Sequence, residues 1–169
     1  MMPKSNLEFI SSDNKFGLRI EKKESLKILE ICRNSGKKEV GGILIGIHDA
    51  AHRFALVKSI SDAPLDSQRG QNSFYRGVKG MQNLLDQFWY KKQYFYLGEW
   101  HFHPYASAHA SLLDIEQMKE ISRSEKYNCP EPILLICGGN VDKEWDMTAY
   151  VFPCNQQWAK LNCAFDSEI

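Results

Sequence analysis

Residues 93–114 read QYFYLGEWHFHPYASAHASLLD, and the first half of that stretch sets the plan for the rest of the chain. Its aromatic and branched residues favour a β-strand. Side chains two apart on a strand share a side, so His101 and His103 aim at one point while Trp100 and Phe102 face the other way, into a core. Pro104 ends the strand. Seven residues, Pro104 to Ala110, then separate His103 from Ser111, enough for a loop that folds back over the strand end. From Leu112 to Ser124 the pattern is helical, with Ser111 as its cap and Asp114 in the first turn, where the positive end of a helix favours a carboxylate.

The strand end and the helix start can therefore present two imidazoles and one carboxylate to the same point. That set, with a fourth position left for water, is a recognised catalytic zinc arrangement, because a closed four-ligand shell leaves no room for chemistry. Zinc would lower the pKa of the water and polarise a carbonyl. A base to orient the water is still needed, and Glu39 stands at the start of an earlier candidate strand. Taken singly the parts are weak: S-x-x-D is usually a plain helix start, and an isolated H-x-H is usually incidental. Their conjunction carries the signal. His48, His52 and His109 have no partners at ligand spacing and read as surface residues.

The chain has 169 residues, 43% of them hydrophobic, enough for one compact domain with its own core. Its 21 basic and 21 acidic residues cancel without forming blocks, so composition supports neither nucleic acid nor an anionic membrane as partner. Apolar runs such as ILIGI and PILLIC are far shorter than the roughly 20 residues that cross a bilayer. MMPKSNLEFISSDNK lacks the apolar centre of a signal peptide, and the expectation is a cytoplasmic protein. The five cysteines contain no C-x-x-C pair and read as free thiols.

Helical spacing at Ile20, Leu26, Ile28, Leu29 and Cys32 predicts a first helix over Ile20–Asn34, stopped at Ser35-Gly36. VGGILIGI reads as a buried strand and RFALVKSI as its hairpin partner. SDAPLDSQRGQNS is a polar surface loop, VKGMQNLLDQFWYKK a second helix, and PILLIC and WDMTAYVF two strands joined by the turn GGNVDK. Residues 153–169 read as a short C-terminal extension forming a closing helix. The expectation is a mixed α/β (α+β) fold, a curved mixed β-sheet flanked by helices, in one domain over residues 1–169.

Glu39 before VGGILIG, then His101-Phe102-His103-Pro104, seven residues, and Ser111-Leu112-Leu113-Asp114 resemble the JAB/MPN domain with its JAMM metalloprotease motif. The phrases FYLGEWHFHP and SFYRGVKGMQNLLDQFW are more similar to the stand-alone bacterial JAB proteins of antiphage systems, of the CBASS type or of bacterial ubiquitin-like pathways, than to eukaryotic deubiquitinases. The resemblance implies a cytidine-deaminase-like sheet and a zinc-dependent isopeptidase. It would cut after the C-terminus of a ubiquitin-like protein or a nucleotidyltransferase joined to a target, in a pathway with activating and conjugating enzymes as further partners. His101, His103 and Asp114 would bind one zinc ion per chain, Glu39 would hold and deprotonate the catalytic water, and Ser111 would stabilise the oxyanion. The substrate tail would lie beside a strand, with the loops Asp62 to Asn72 and Tyr105 to Ala110 as candidates to hold it.

Two positions depart from the motif. Phe102 stands where Ser or Thr is usual and faces away from the metal. Glu99 is an extra carboxylate, read as pointing away from the ligands, although its parity with His101 leaves a supporting role open. The main alternative is a catalytically silent MPN scaffold, which ordinarily loses ligands that this chain keeps. A zinc nucleobase deaminase would need H-x-E and a later P-C-x-x-C, and Cys129 precedes Pro130 instead. Release of a sulfur-carrier or peptide tail would use the same chemistry.

Overall fold

A computed structural model describes residues 3 and 5–164. The elements run β1 (Leu7–Ser11), β2 (Gly17–Ile20), α1 (Lys22–Ser35), β3 (Val40–His48), β4 (Phe54–Ile60), β5 (Gln68–Arg69), β6 (Phe74–Tyr75), α2 (Met81–Lys92), β7 (Phe95–Pro104), α3 (Leu112–Arg123), β8 (Ile133–Asn140), β9 (Glu144–Val151) and β10 (Ala159–Cys163). Eight strands close into a barrel in the order β1-β10-β9-β8-β7-β3-β4-β2, and β5 pairs with β6 in a separate hairpin.

The expected curved open sheet flanked by helices, the JAB/MPN and cytidine-deaminase-like arrangement, is thus corrected to a closed mixed barrel of eight strands with three helices. The reason lies in three short strands at the two ends of the chain. β1 pairs antiparallel with both β2 and β10, β10 continues onto β9, and β2 runs parallel to β4. What would have been the two open edges of the sheet, β9 and β4, are covered, and their backbone N–H and C=O groups are paired. Ile20, assigned by its spacing to the first helix, ends β2 instead, and Ala159–Cys163, expected in a closing helix, is extended. The remainder of that expected helix, residues 165–169, lies outside the described residues.

Strand alternation sorts the core into two clusters. Along β8, Ile133, Leu135 and Cys137 enter one apolar cluster with Trp100, Phe102 and the α1 residues Ile28, Leu29 and Cys32. Leu134 and Ile136 enter a second cluster with Met118 and Ile121 of α3, against which Leu84, Leu85 and Phe88 of α2 pack. The sheet is therefore apolar on both faces, with α1 packed on one and α2 and α3 on the other. All five cysteines are free thiols, three of them buried. Among the described residues no helix is long and apolar enough to cross a membrane.

Candidate metal and catalytic centre

β7 lies between β3, antiparallel, and β8, parallel. The β3 register sets Gly41 opposite His101 and Val40 opposite Phe102, so one residue further Glu39 comes level with His103. This is how a residue some sixty positions away in sequence reaches the histidine pair. A side chain at 41 would not fit, since a Cβ there would come 2.8 Å from the His101 ring. On the other side His103 pairs with Gly138. A Cβ at 138 would press into the backbone of Ser107 and Ala108, so the missing side chain lets the loop after β7 lie across β8. Tyr105, in the left-handed region at φ 60°, donates its N–H to Gly139 O (2.9 Å) and starts that loop.

α3 supplies the third group. Ser111 caps the helix in a reciprocal box: its Oγ accepts from Asp114 N–H (3.1 Å), and Asp114 Oδ2 accepts from Ser111 N–H (2.7 Å) and from the Ser111 hydroxyl (2.6 Å). The cap fixes the Asp114 rotamer and turns Oδ1 towards His101, 2.9 Å from its Nδ1. His103 Nε2 stands 3.6 Å from Asp114 Oδ2. One ligand-type atom from each of His101, His103 and Asp114 falls within 4.8 Å of the others.

The three groups are almost removed from water, at 3% exposure for His101, 9% for His103 and 6% for Asp114. Burial disfavours a charged His101, but the hydrogen bond to Asp114 and the nearby Glu99 carboxylate outweigh it and raise its pKa to about 9. Burial also opposes ionisation of Asp114, and the His101 contact overrides it, holding the carboxyl at about 2. Burial lowers the pKa of His103, which favours the neutral imidazole that a metal requires. Partial burial and then the Asp114 charge push Glu39 up to about 7, against the opposing pull of His101. The point is attractive to positive charge and offers two nitrogens and a carboxylate, a donor set that fits zinc.

A cavity of about 230 Å³ joins these residues: Glu39, His103, Ser111 and Asp114 line it with Asn72 and Ser107. Parts of both loops singled out from sequence, Gln71 and Asn72 in one and Ala106, Ser107 and His109 in the other, thus border the centre. His109, expected as an unpartnered surface residue, is exposed yet lines the same cavity. His48 and His52 stack on each other with ring centroids 4.2 Å apart, away from the site. Trp100 and Phe102 point into the core, as strand parity required. Glu99 does not point away: its carboxylate lies 3.8 Å from His101 Nε2 and binds Arg76, a residue with no spacing signal in the sequence.

No family model matches the chain. A solved protein from Desulfitobacterium hafniense superposes with a TM-score of 0.61 over 86% of this chain and 88% of its own, at 17% identity, and shares the fold. A CD-NTase/cGAS isopeptidase from Enterobacter hormaechei subsp. hoffmannii is 38% identical over 122 residues, which are 72% of this chain and 67% of the relative. An identity of that level over two thirds of both chains places this protein in the family of the CD-NTase/cGAS isopeptidase.

Proposed function

We propose that this protein is a zinc-dependent isopeptidase of the JAMM type that removes a nucleotidyltransferase, or a ubiquitin-like protein, from a target to which its C-terminus is joined. The reversal would take place within a bacterial antiphage system, and residues 1–169 would act as one peptidase unit. The observation that carries the reading is the convergence of His101, His103 and Asp114 within 4.8 Å, with Glu39 on the wall of the same cavity. The family membership supplies the bond class.

His101, His103 and Asp114 would hold the zinc ion. When bound there, zinc polarises the scissile carbonyl and makes a water molecule easier to deprotonate. Burial and the Asp114 charge raise the Glu39 pKa to about 7 in the metal-free protein, and a cation bound beside it would lower that value and favour the carboxylate that takes a proton. It accepts the proton of the attacking water and returns it to the leaving amine, so that the C–N bond breaks without a free anionic nitrogen. Ser111 directs its hydroxyl to Asp114 in the cap, and hydroxyl rotors turn at little cost. Rotated towards the cavity, it donates to the oxygen that gains charge as the carbonyl becomes tetrahedral.

The hairpin β5–β6 is tied to the base. Arg69 Nε donates to Glu39 O (3.0 Å), and Glu39 N–H donates to Gly70 O (2.8 Å). An extended C-terminal tail laid beside this hairpin would pass the cavity mouth, in the manner of an added strand. The decisive test is incubation of the zinc-loaded protein with a conjugate carrying the nucleotidyltransferase C-terminus, in parallel with one carrying a ubiquitin-like C-terminus. Release by the wild type and none by Glu39→Ala is expected. A Glu39→Ala variant as active as the wild type would remove the assigned base.

A further inference from the structure

Glu99 and Arg76 form the most deeply buried arginine or lysine ion pair among the described residues, with side chains 6% and 8% exposed. Arg76 Nε lies 2.8 Å from Oε1 and 2.9 Å from Oε2 of Glu99. Its remaining nitrogens are spent on Gly77 O (2.8 Å) and Tyr127 Oη (2.9 Å), and Tyr96 donates its hydroxyl to Glu99 Oε1 (3.1 Å). Arg76 after β6 and Tyr96 on β7 thus hold the Glu99 carboxylate directly, and Tyr127, in the turn after α3, holds it through Arg76. A buried ion pair is a poor means of stabilising a core, where apolar side chains of similar size do as well or better. The arrangement needs another reason.

That reason is the His101 ring. One carboxylate faces each of its nitrogens: Asp114 Oδ1 is 2.9 Å from Nδ1, and Glu99 Oε2 is 3.8 Å from Nε2. Phe74 stands edge-on to the ring with centroids 5.3 Å apart. Half a turn about the Cβ–Cγ bond would present ring carbons in place of nitrogens to both carboxylates. A metal-binding histidine ordinarily gives its second ring N–H to a carboxylate or carbonyl, which fixes the tautomer and the direction of the ligating nitrogen.

We propose that Glu99, clamped by Arg76, is a positioning residue that holds His101 with its other ring nitrogen turned to the metal centre. The inference rests on the reading of His101 as a zinc ligand. Arg76 fixes the carboxylate rotamer, and Glu99 in turn neutralises a guanidinium that would otherwise oppose a cation nearby. Arg76 follows β6, whose partner β5 is bonded to Glu39, so one hairpin braces both the base and a ligand.

The test is zinc affinity, by competition with a chromophoric chelator, together with the visible spectrum of the cobalt-substituted protein and the thermal midpoint of the metal-free chain. Glu99→Gln keeps shape and removes the charge. It should bind zinc about 10–100-fold more weakly and change the cobalt spectrum. Arg76→Lys should lose less, because the charge remains while the two-oxygen clamp is lost. A folded Glu99→Gln with wild-type zinc affinity and an unchanged cobalt spectrum overturns the inference, even if its midpoint falls, since that is a packing role alone. Should Glu99→Gln not fold, Arg76→Lys decides by the same readouts. Failure of the wild type itself to bind zinc would instead defeat the metalloprotease reading, which Asp114→Ala checks separately.

Discussion

The two faces of β7 are equally buried and differently built. On one, Trp100 and Phe102 are 0% and 2% exposed among aliphatic side chains. On the other, Glu99, His101 and His103 are 4%, 3% and 9% exposed; Glu99 and His101 carry charge, and His103 is a neutral imidazole beside the Asp114 carboxylate. The first face stabilises by area removed from water. The second costs desolvation, which Asp114 and Arg76 offset by pairing. The deep polar row supports the proposed chemistry, because packing alone does not call for it. Perturbing one face should change turnover at constant fold, and perturbing the other should change stability at constant chemistry.

The largest expected effect is on the polar side. Glu39→Gln removes the proposed base without altering shape and should lower kcat by about 10²–10⁴-fold with an unchanged thermal midpoint. Steady-state cleavage of the conjugate measures it. The wild-type rate should fall as pH drops through the Glu39 pKa, which stands at about 7 in the metal-free protein and would be lowered by a zinc ion bound beside it. Glu39→Gln should show no such limb. On the apolar side, Trp100→Ala should cost about 3–5 kcal/mol of stability in urea denaturation, as expected for a large aromatic lost from a filled core. A Trp100→Ala variant that stays folded in low urea should keep its zinc affinity. Loss of zinc at constant fold would mean that the two faces are not separable.

A smaller effect lies in the His101–Asp114 pair of the chelator-treated protein. His101 is raised from 6.5 to about 9, so its share of stability is full below pH 6.5 and is lost as the pH climbs through 9. Asp114 is lowered from 3.8 to about 2, so its share is present above 3.8 and disappears as the pH falls through 2. Seen from either partner this is one interaction, worth about 2–3 kcal/mol. Stability of the metal-free protein should therefore be greatest between those limits and decline from pH 6.5 towards 9. Asp114→Asn should shrink that alkaline decline, leaving the part due to Glu99, and denaturant midpoints across the range test it.

The comparison also explains what the sequence could reveal. The histidine pair and the cap were legible because a strand of period two and a helix start impose fixed spacings, so His101, His103, Ser111 and Asp114 announce their geometry locally, whereas Glu99 was read as pointing away. Glu39 was legible only through the motif, since its place beside His103 depends on the β3–β7 register. Barrel closure was not legible. LEFIS, GLRI and AKLNC are four or five residues long, and each is held by partners far along the chain, such as Phe9 on Cys163. Such pairings outweigh the weak local preferences from which Ile20 and the tail were assigned to helices. Arg76 was invisible for the same reason: its role depends on a carboxylate twenty-three residues away.

Ser111 is where the two kinds of contribution meet in one side chain, and it yields the smallest and most discriminating prediction. As N-cap of α3 it accepts the Asp114 N–H, and as proposed donor it serves the reaction. Ala and Gly separate the roles. Both lack the hydroxyl, so both should lower kcat similarly, by about 10–10³-fold if the donor acts on the oxyanion. Loss of the cap should cost about 1 kcal/mol in Ser111→Ala and only a few tenths in Ser111→Gly, because glycine is tolerated at that position. Equal losses of kcat with unequal losses of stability would establish the hydroxyl as a donor in its own right. If kcat instead recovers in step with stability from Ala to Gly, Ser111 acts only through the cap, by holding Asp114 in place.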